Sequence, residues 1–151
     1  MTWGRIKRVK DYINWDEFML TYWDWVSDID IKALVDFHHS HKKLATLTAV
    51  VPEWKFWKLS VDWDMITEFA EKKDNKDNWM NWWFMVLNKK VIDYIDWDAM
   101  PFEMDPLENL ASSGELIAYK HRWFWSPMDT IKQKNDLNNL WNNWEAKRKV
   151  W

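Results

Sequence analysis

TYWDWVSDIDIKALVDFHHSHKKLATLTAV, Thr21–Val50, holds a strand end, a turn, a capped helix and a second strand in one uninterrupted run. The apolar stretch Phe18-Met19-Leu20-Thr21-Tyr22 leads into it and stops at Trp23-Asp24-Trp25, which reads as a buried strand ending in a turn. Asp30 is placed to cap a helix from Ile31 to about His41, with Ile31, Leu34, Val35 and His38 on one face. Ala45–Val51 is rich in β-formers and ends at Pro52, so it reads as the second strand. A strand, a helix and a strand this close together predict an α/β layer fold with a largely parallel sheet.

The flanking sequence extends the same pattern. Leu59-Ser60-Val61 and Ile66-Thr67-Glu68-Phe69 form a hairpin around Asp62-Trp63-Asp64. The charged segment Glu71–Asn78 reads as a loop, Phe84–Leu87 as a strand, and Lys89–Ile95 as a short helix. Pro106–Ser113 is a helix that Gly114 ends from the C′ position. Leu116–Tyr119 is a further strand, and Thr130–Trp141 a final helix. No internal repeat or linker divides the 151 residues, which read as part of one domain.

Composition excludes several classes. The net charge of −3 offers no basic face to a nucleic acid, and a stacking platform is at odds with aromatic residues set in acidic turns. Without Cys there is no disulfide, thiolate chemistry or thiolate metal site, which suits a cytoplasmic protein. No apolar run approaches the roughly 20 residues that span a bilayer. His38, His39 and His41 are close in sequence, but a helix puts only 38 and 41 on one face. With no carboxylate or Cys to complete a set, they read as structural.

The chain has 16 Trp and 2 Gly. Trp15, Trp23, Trp25, Trp63 and Trp97 sit among Asn and Asp, where a tight turn asks for Gly and its access to φ > 0. Trp82 and Trp83 follow Asn81 in the same manner. Indoles forced into such turns would cost of order 1 kcal/mol or more each.

Six segments in order then resemble one family. They are GRIKRV (Gly4–Val9), TYWDWVSDIDIKAL (Thr21–Leu34), the VDFHHSHKKLATLTAV that follows, FAEKK (Phe69–Lys73), MNWWFMVLN (Met80–Asn88) and WFWSPMDT (Trp123–Thr130). With matched spacing, they resemble the glucose-1-phosphate cytidylyltransferases of the nucleotidyltransferase superfamily. The resemblance implies a nucleotide-diphospho-sugar transferase-like α/β fold, a Rossmann-like mixed sheet with flanking helices. It also implies that the Gly-rich nucleotide-binding portion lies before Met1, so that residues 1–151 are the C-terminal portion of a single nucleotidyltransferase domain.

The function implied is cytidylyl transfer from CTP to α-D-glucose 1-phosphate, yielding CDP-glucose and pyrophosphate for sugar-nucleotide and polysaccharide (O-antigen) synthesis. By the same carry-over, Asp24 and Asp129 hold Mg²⁺, and Asp24 and Lys72 are the catalytic residues. Arg5, Tyr22, Trp23, Glu71, Lys72 and Asn81 lie on the substrate side; Lys73 stands where the family has Pro. The resemblance also implies a cytoplasmic homo-oligomer. Two alternatives stand beside this reading: a related nucleotidyltransferase for another nucleotide or sugar, and an inactive fragment whose indoles at 23 and 25 intrude where phosphates and sugar must lie.

The family has Gly where this chain has Trp3, Trp23, Trp25, Trp57, Trp82, Trp83 and Trp123. The turn contexts of Trp15, Trp54, Trp63, Trp97 and Trp144 place them in the same group. Trp125, Trp141 and Trp151 match family Trp, and Trp79 is assigned to neither group. Restoring about a dozen glycines brings Gly to roughly 9%, near the usual content of about 7%. One residue type converted into one other points to UGA codons, read as glycine in some bacterial lineages, decoded as Trp. Sequencing the gene tests this: TGA is expected at the first seven positions, TGG at Trp125, Trp141 and Trp151, with open frame continuing upstream of Met1. TGG at all sixteen Trp positions would refute it.

Overall fold

The layers of the fold follow from the period of two in strand β3 (Ala45–Val50), which is buried along its whole length. Ala45, Leu47 and Ala49 point into one core, and Thr46, Thr48 and Val50 face the opposite side. A strand buried on both faces needs a neighbour on each edge and cover on each side, and β3 has both. The computed structural model describes residues 2–51, 58–62, 64–70, 79–95 and 105–146.

Around β3 lie helix α1 (Thr2–Arg8) and strands β1 (Glu17–Leu20) and β2 (Trp25–Ser27), then helix α2 (Ile31–His41). After β3 come β4 (Lys58–Asp62), β5 (Met65–Ala70) and β6 (Met80–Asn88), then helix α3 (Asp105–Ser112). Strands β7 (Leu116–His121) and β8 (Trp125–Pro127) precede helix α4 (Ile131–Asn142). Six strands form one sheet in the order β1-β6-β3-β7-β5-β4, while β2 and β8 form a separate two-stranded ribbon.

The expected capping of α2 by Asp30 is present: its carboxylate accepts from the Ala33 amide at 2.9 Å. The expected hairpin is present too, with β4 and β5 antiparallel. The sheet, however, is mixed rather than largely parallel. Among the described residues β3–β7 is its parallel pair, and β1–β6, β3–β6, β4–β5 and β5–β7 are antiparallel. Alternation of elements along a sequence shows where strands are but not which edge each one joins. Strand β6 enters between β1 and β3 running against both. The expected loop Glu71–Asn78 lies outside the described residues.

One face of the sheet packs Leu47, Trp83, Met85 and Leu87 against Ile6 of α1, Leu107 and Leu110 of α3, and Val91 and Ile92 of a 3₁₀ turn, Lys89–Tyr94. On the other face Leu34 of α2 covers Val86, with Phe84 and Tyr119 beside it. A third cluster, Val50, Met80 and Trp82, lies beneath Trp25 and Trp125 of the ribbon.

The expectation of strained Trp turns needs correction. Among the described residues φ is positive only at Lys42, Gly114 and Trp144. Trp82 and Trp83, expected in a loop, are inside β6, where the register against β3 shifts opposite Leu47 and Thr48. Gly in a strand interior commonly marks such an irregularity. Here two indoles occupy it and are buried, Trp82 to 1% exposure. Burying an indole is worth up to about 4 kcal/mol from its area, against about 1–3 kcal/mol for the Trp82 Nε1 left without a partner. Packing therefore wins over the missing glycine. Trp54, Trp57, Trp63, Trp97 and Trp151 lie outside the described residues.

Two helices end in one motif with different residues. At α3 the Glu115 amide donates to Leu110 O and Gly114 to Ala111 O; at α4 Glu145 donates to Leu140 O and Trp144 to Trp141 O. Both are Schellman ends, whose C′ residue must be left-handed. Gly114 takes φ 70° without cost, whereas Trp144 takes φ 61° with its side chain 80% exposed and little packing in return.

The last turn of α2 is held by a chain of hydrogen bonds with a definite proton order. The Lys43 amide donates to His41 Nδ1 at 3.0 Å, so the ring proton of neutral His41 is on Nε2. That N–H donates to Thr46 Oγ1 at 2.8 Å, and the Thr46 hydroxyl donates to His38 Nδ1 at 2.8 Å. His38 Nε2 then faces Glu17 of β1 at 3.6 Å, and Glu17 also meets His39 Nε2 at 2.8 Å. No carboxylate near these imidazoles in the sequence serves them; Glu17 reaches helix α2 from strand β1. His38 and His41 are both held below their ordinary pKa, first by burial; Glu17 opposes this at His38 and Lys43 reinforces it at His41.

Two outcomes follow from these contacts. Trp144→Gly should raise stability by about 1–2 kcal/mol and Gly114→Ala should lower it by about 1 kcal/mol, read from denaturant midpoints. Because the folded pKa values of His38 and His41 lie below the unfolded value near 6.5, their contribution is complete above that pH and is lost as pH falls below it. The urea midpoint should therefore drop from pH 7.5 to pH 5.5, and drop less in His41→Gln; equal drops would remove His41 from the account.

Candidate active site

The ribbon carries the two aspartates. Its register pairs Trp25 with Pro127, Val26 with Ser126 and Ser27 with Trp125. One rung further the Met128 amide donates to the Asp24 carbonyl at 2.8 Å. Asp129 follows at once, close enough to Asp24 for the two carboxyls to interact. The Asp129 carboxyl is held above its usual range, first by burial, then by the negative charge of Asp24 and the hydrogen bond between them.

Oδ1 of Asp24 is buried and meets no donor. A buried carboxylate oxygen without a donor, next to a second carboxylate, suits a hard divalent cation. Mg²⁺ is commonly held by one or two carboxylates, with waters and substrate phosphates completing the shell. The described residues contain no cluster of three or more ligating side chains, and that mode of binding needs none.

One local reading changes. Asp24 does not end a buried strand: β1 is an edge strand, half-buried, ending at Leu20, and Asp24 lies in the turn before β2. Helix α4 is capped by Thr130, through a capping box in which Thr130 Oγ1 accepts from the Gln133 amide at 3.2 Å. Gln133 Oε1 accepts in return from the Thr130 amide at 2.9 Å and the Asp129 amide at 3.0 Å. The Asp129 backbone is thereby fixed while its carboxylate faces Asp24.

The remaining expected residues are distributed unevenly. Asn81 is 5% exposed, and neither Nδ2 nor Oδ1 has a partner, an orphaned buried amide of the kind a ligand satisfies. Tyr22 is half-buried and its ring meets that of Trp83 at 4.7 Å. Trp23 stands in the turn with 85% exposure. Arg5 is exposed on α1, and the described contacts do not tie it to the two aspartates. Glu71 and Lys72 lie outside the described residues. Trp25, which follows Asp24, packs on Trp82 at 3.9 Å and Trp82 on Trp125 at 4.4 Å between ring centroids. Sequence reasoning passed over Ser27, Asp28 and His121, which converge at the other end of the ribbon, because nothing local links them.

No family model matches the chain. Curated relatives do: the glucose-1-phosphate cytidylyltransferases of Salmonella typhi and Salmonella typhimurium are 47% identical across the whole chain. The chain is similar over its full length to glucose-1-phosphate cytidylyltransferases. It spans 59% of the length of those relatives. Among solved structures, HddC from Yersinia pseudotuberculosis matches with a TM-score of 0.77 at 20% identity, over 93% of this chain and 62% of that one. The inositol-1-phosphate CTP transferase from T. maritima matches with 0.72 at 14% identity, over 96% and 61%. A UDP-glucose pyrophosphorylase matches with 0.75 at 13% identity, over 93% and 59%. The fold is thus that of the nucleotidyltransferases, a mixed α/β sheet with flanking helices.

If the two carboxylates are coupled, Asp24→Asn should bring the Asp129 pKa down part of the way, since burial remains after the charge is gone. Carboxyl ¹³C titration measures this directly. An unchanged Asp129 would mean that the two side chains do not meet.

Proposed function

We propose that this chain carries the metal and sugar side of an enzyme that transfers a cytidylyl group from CTP to α-D-glucose 1-phosphate. The observation that carries this reading is the meeting of Asp24 and Asp129 at one end of the ribbon, in a chain similar throughout to enzymes of that name. The phosphate oxygen of glucose 1-phosphate attacks the α-phosphorus of CTP in line, the bond to the pyrophosphate oxygen breaks, and CDP-glucose and pyrophosphate result. Such a transfer needs positioning and charge neutralisation rather than a side-chain nucleophile. Asp24 and Asp129 would hold Mg²⁺, which when bound neutralises phosphate charge. Lys72, by resemblance to the family's Glu-Lys pair, holds the acceptor phosphate. The buried amide of Asn81 has both a donor and an acceptor to offer a sugar hydroxyl.

The setting proposed is the cytoplasm, as a homo-oligomer, without a nucleic-acid or membrane partner. Among the described residues no helix is long and apolar enough to cross a membrane. A second reading, a folded but catalytically silent chain, is favoured by the indole of Trp25, next to Asp24 in the chain and packed on Trp82, two positions where the resembled family has Gly.

CDP-glucose formation from CTP and glucose 1-phosphate separates the two. Activity that chelation abolishes and that Asp24→Asn lowers by about 100-fold or more supports the first reading. In an active preparation Lys72→Ala should raise KM for glucose 1-phosphate far more than for CTP; equal effects return Lys72 to a solvated loop. Absence of activity that returns when Trp25, Trp82 and Trp83 are replaced by Gly supports the second.

A further inference from the structure

The ribbon that carries both aspartates is only three residues long on each strand, too short to hold its own register. Its inner face rests on indoles whose ring contacts are non-directional and would tolerate sliding, apart from the bond that Trp125 Nε1 donates to the Val51 carbonyl at 3.2 Å. A slip by one residue would turn Asp24 away from Asp129. Directional bonds must therefore fix it, and at the end opposite Asp24 they converge on one buried imidazole.

His121, the last residue of β7, is 1% exposed. Its Nε2 lies 3.2 Å from Ser27 Oγ, 3.2 Å from the Phe124 carbonyl and 3.1 Å from Asp28 Oδ1. A carbonyl and a carboxylate only accept, so Nε2 carries the proton. The N–H is directed at the serine and the carbonyl, and Asp28 Oδ1, out of line, is left without a donor of its own. The Phe124 carbonyl also accepts from Ser27 Oγ at 3.0 Å and from the Asp28 amide at 3.2 Å, and Ser27 Oγ accepts from the Ile29 amide at 3.2 Å. One imidazole thus ties the sheet to the end of β2 and to the residue before β8.

We propose that His121 is a positioning residue, which fixes the register of the β2–β8 ribbon and through it the meeting of the Asp24 and Asp129 carboxylates; the metal-binding consequence rests on the function proposed above. The ribbon is held at two ends, by the His121 node and by the Asp24–Met128 rung, and loosening the first frees the second.

The test compares His121→Leu, which keeps bulk and removes the donor, with His121→Gln, whose amide can place an N–H near the position of Nε2. Amide hydrogen exchange at Met128, which reports the Asp24–Met128 bond without any metal, is read together with Mn²⁺ affinity by electron paramagnetic resonance. Met128 should lose protection in His121→Leu while Leu47 in β3 keeps it, and His121→Gln should restore it. Mn²⁺ binding should weaken about 10- to 100-fold in His121→Leu and recover in His121→Gln. Protection at Met128 that survives His121→Leu, or is lost equally in both variants, overturns the proposal. Unaltered exchange results in a protein that binds no Mn²⁺, or binds it equally well as Asp24→Asn, would overturn the metal site while His121 keeps its positioning role.

Discussion

Strand β3 is hydrogen-bonded on both edges, antiparallel to β6 and parallel to β7, and is buried on both faces. Every other layer is located by that arrangement. Its inward alanines and leucine admit α1 and α3 on one side, and its threonines receive α2 on the other. The parallel partner β7 ends beside β3, at His121 opposite Val50, so the chain emerges where the ribbon crosses. Displacing β3 would therefore remove the core and the support of the candidate site at once.

The tryptophans show packing overruling local preference. Where an indole reaches the interior, as at Trp82 and Trp83, the area removed from water outweighs what a glycine would have given the backbone. Where it cannot, as at Trp144, the left-handed backbone is a cost that little burial offsets. At the ribbon the same burial supports the candidate site, because the indole of Trp25, the residue after Asp24, is packed on Trp82 of the third cluster.

Polar groups are set into this apolar frame, where buried polar atoms ordinarily find partners. The His41–Thr46–His38 chain satisfies this with an ordered run of protons; the His121 node satisfies it for the imidazole N–H, the Ser27 hydroxyl and the Phe124 carbonyl but not for Asp28 Oδ1. The rule fails at Asp24 Oδ1 and at both ends of the Asn81 amide, which have no partner.

The sequence by itself determined the elements whose signals are local. Asp30 caps α2 because a short carboxylate reaches an amide three residues on, and Gly114 ends α3 because the Schellman turn needs φ > 0. The hairpin of β4 and β5 and the strand Ala45–Val50 were legible from composition and punctuation alone. Resemblance supplied Asp24 and Asp129 as a pair, but only the ribbon, which no local pattern announces in three-residue strands, brings them to one end of it. The direction of β6, the placing of Glu17 between two imidazoles and the convergence on His121 likewise belong to the tertiary structure. They depend on which strand edges meet, and edge pairing is decided by burial across the whole sheet rather than by neighbours along the chain.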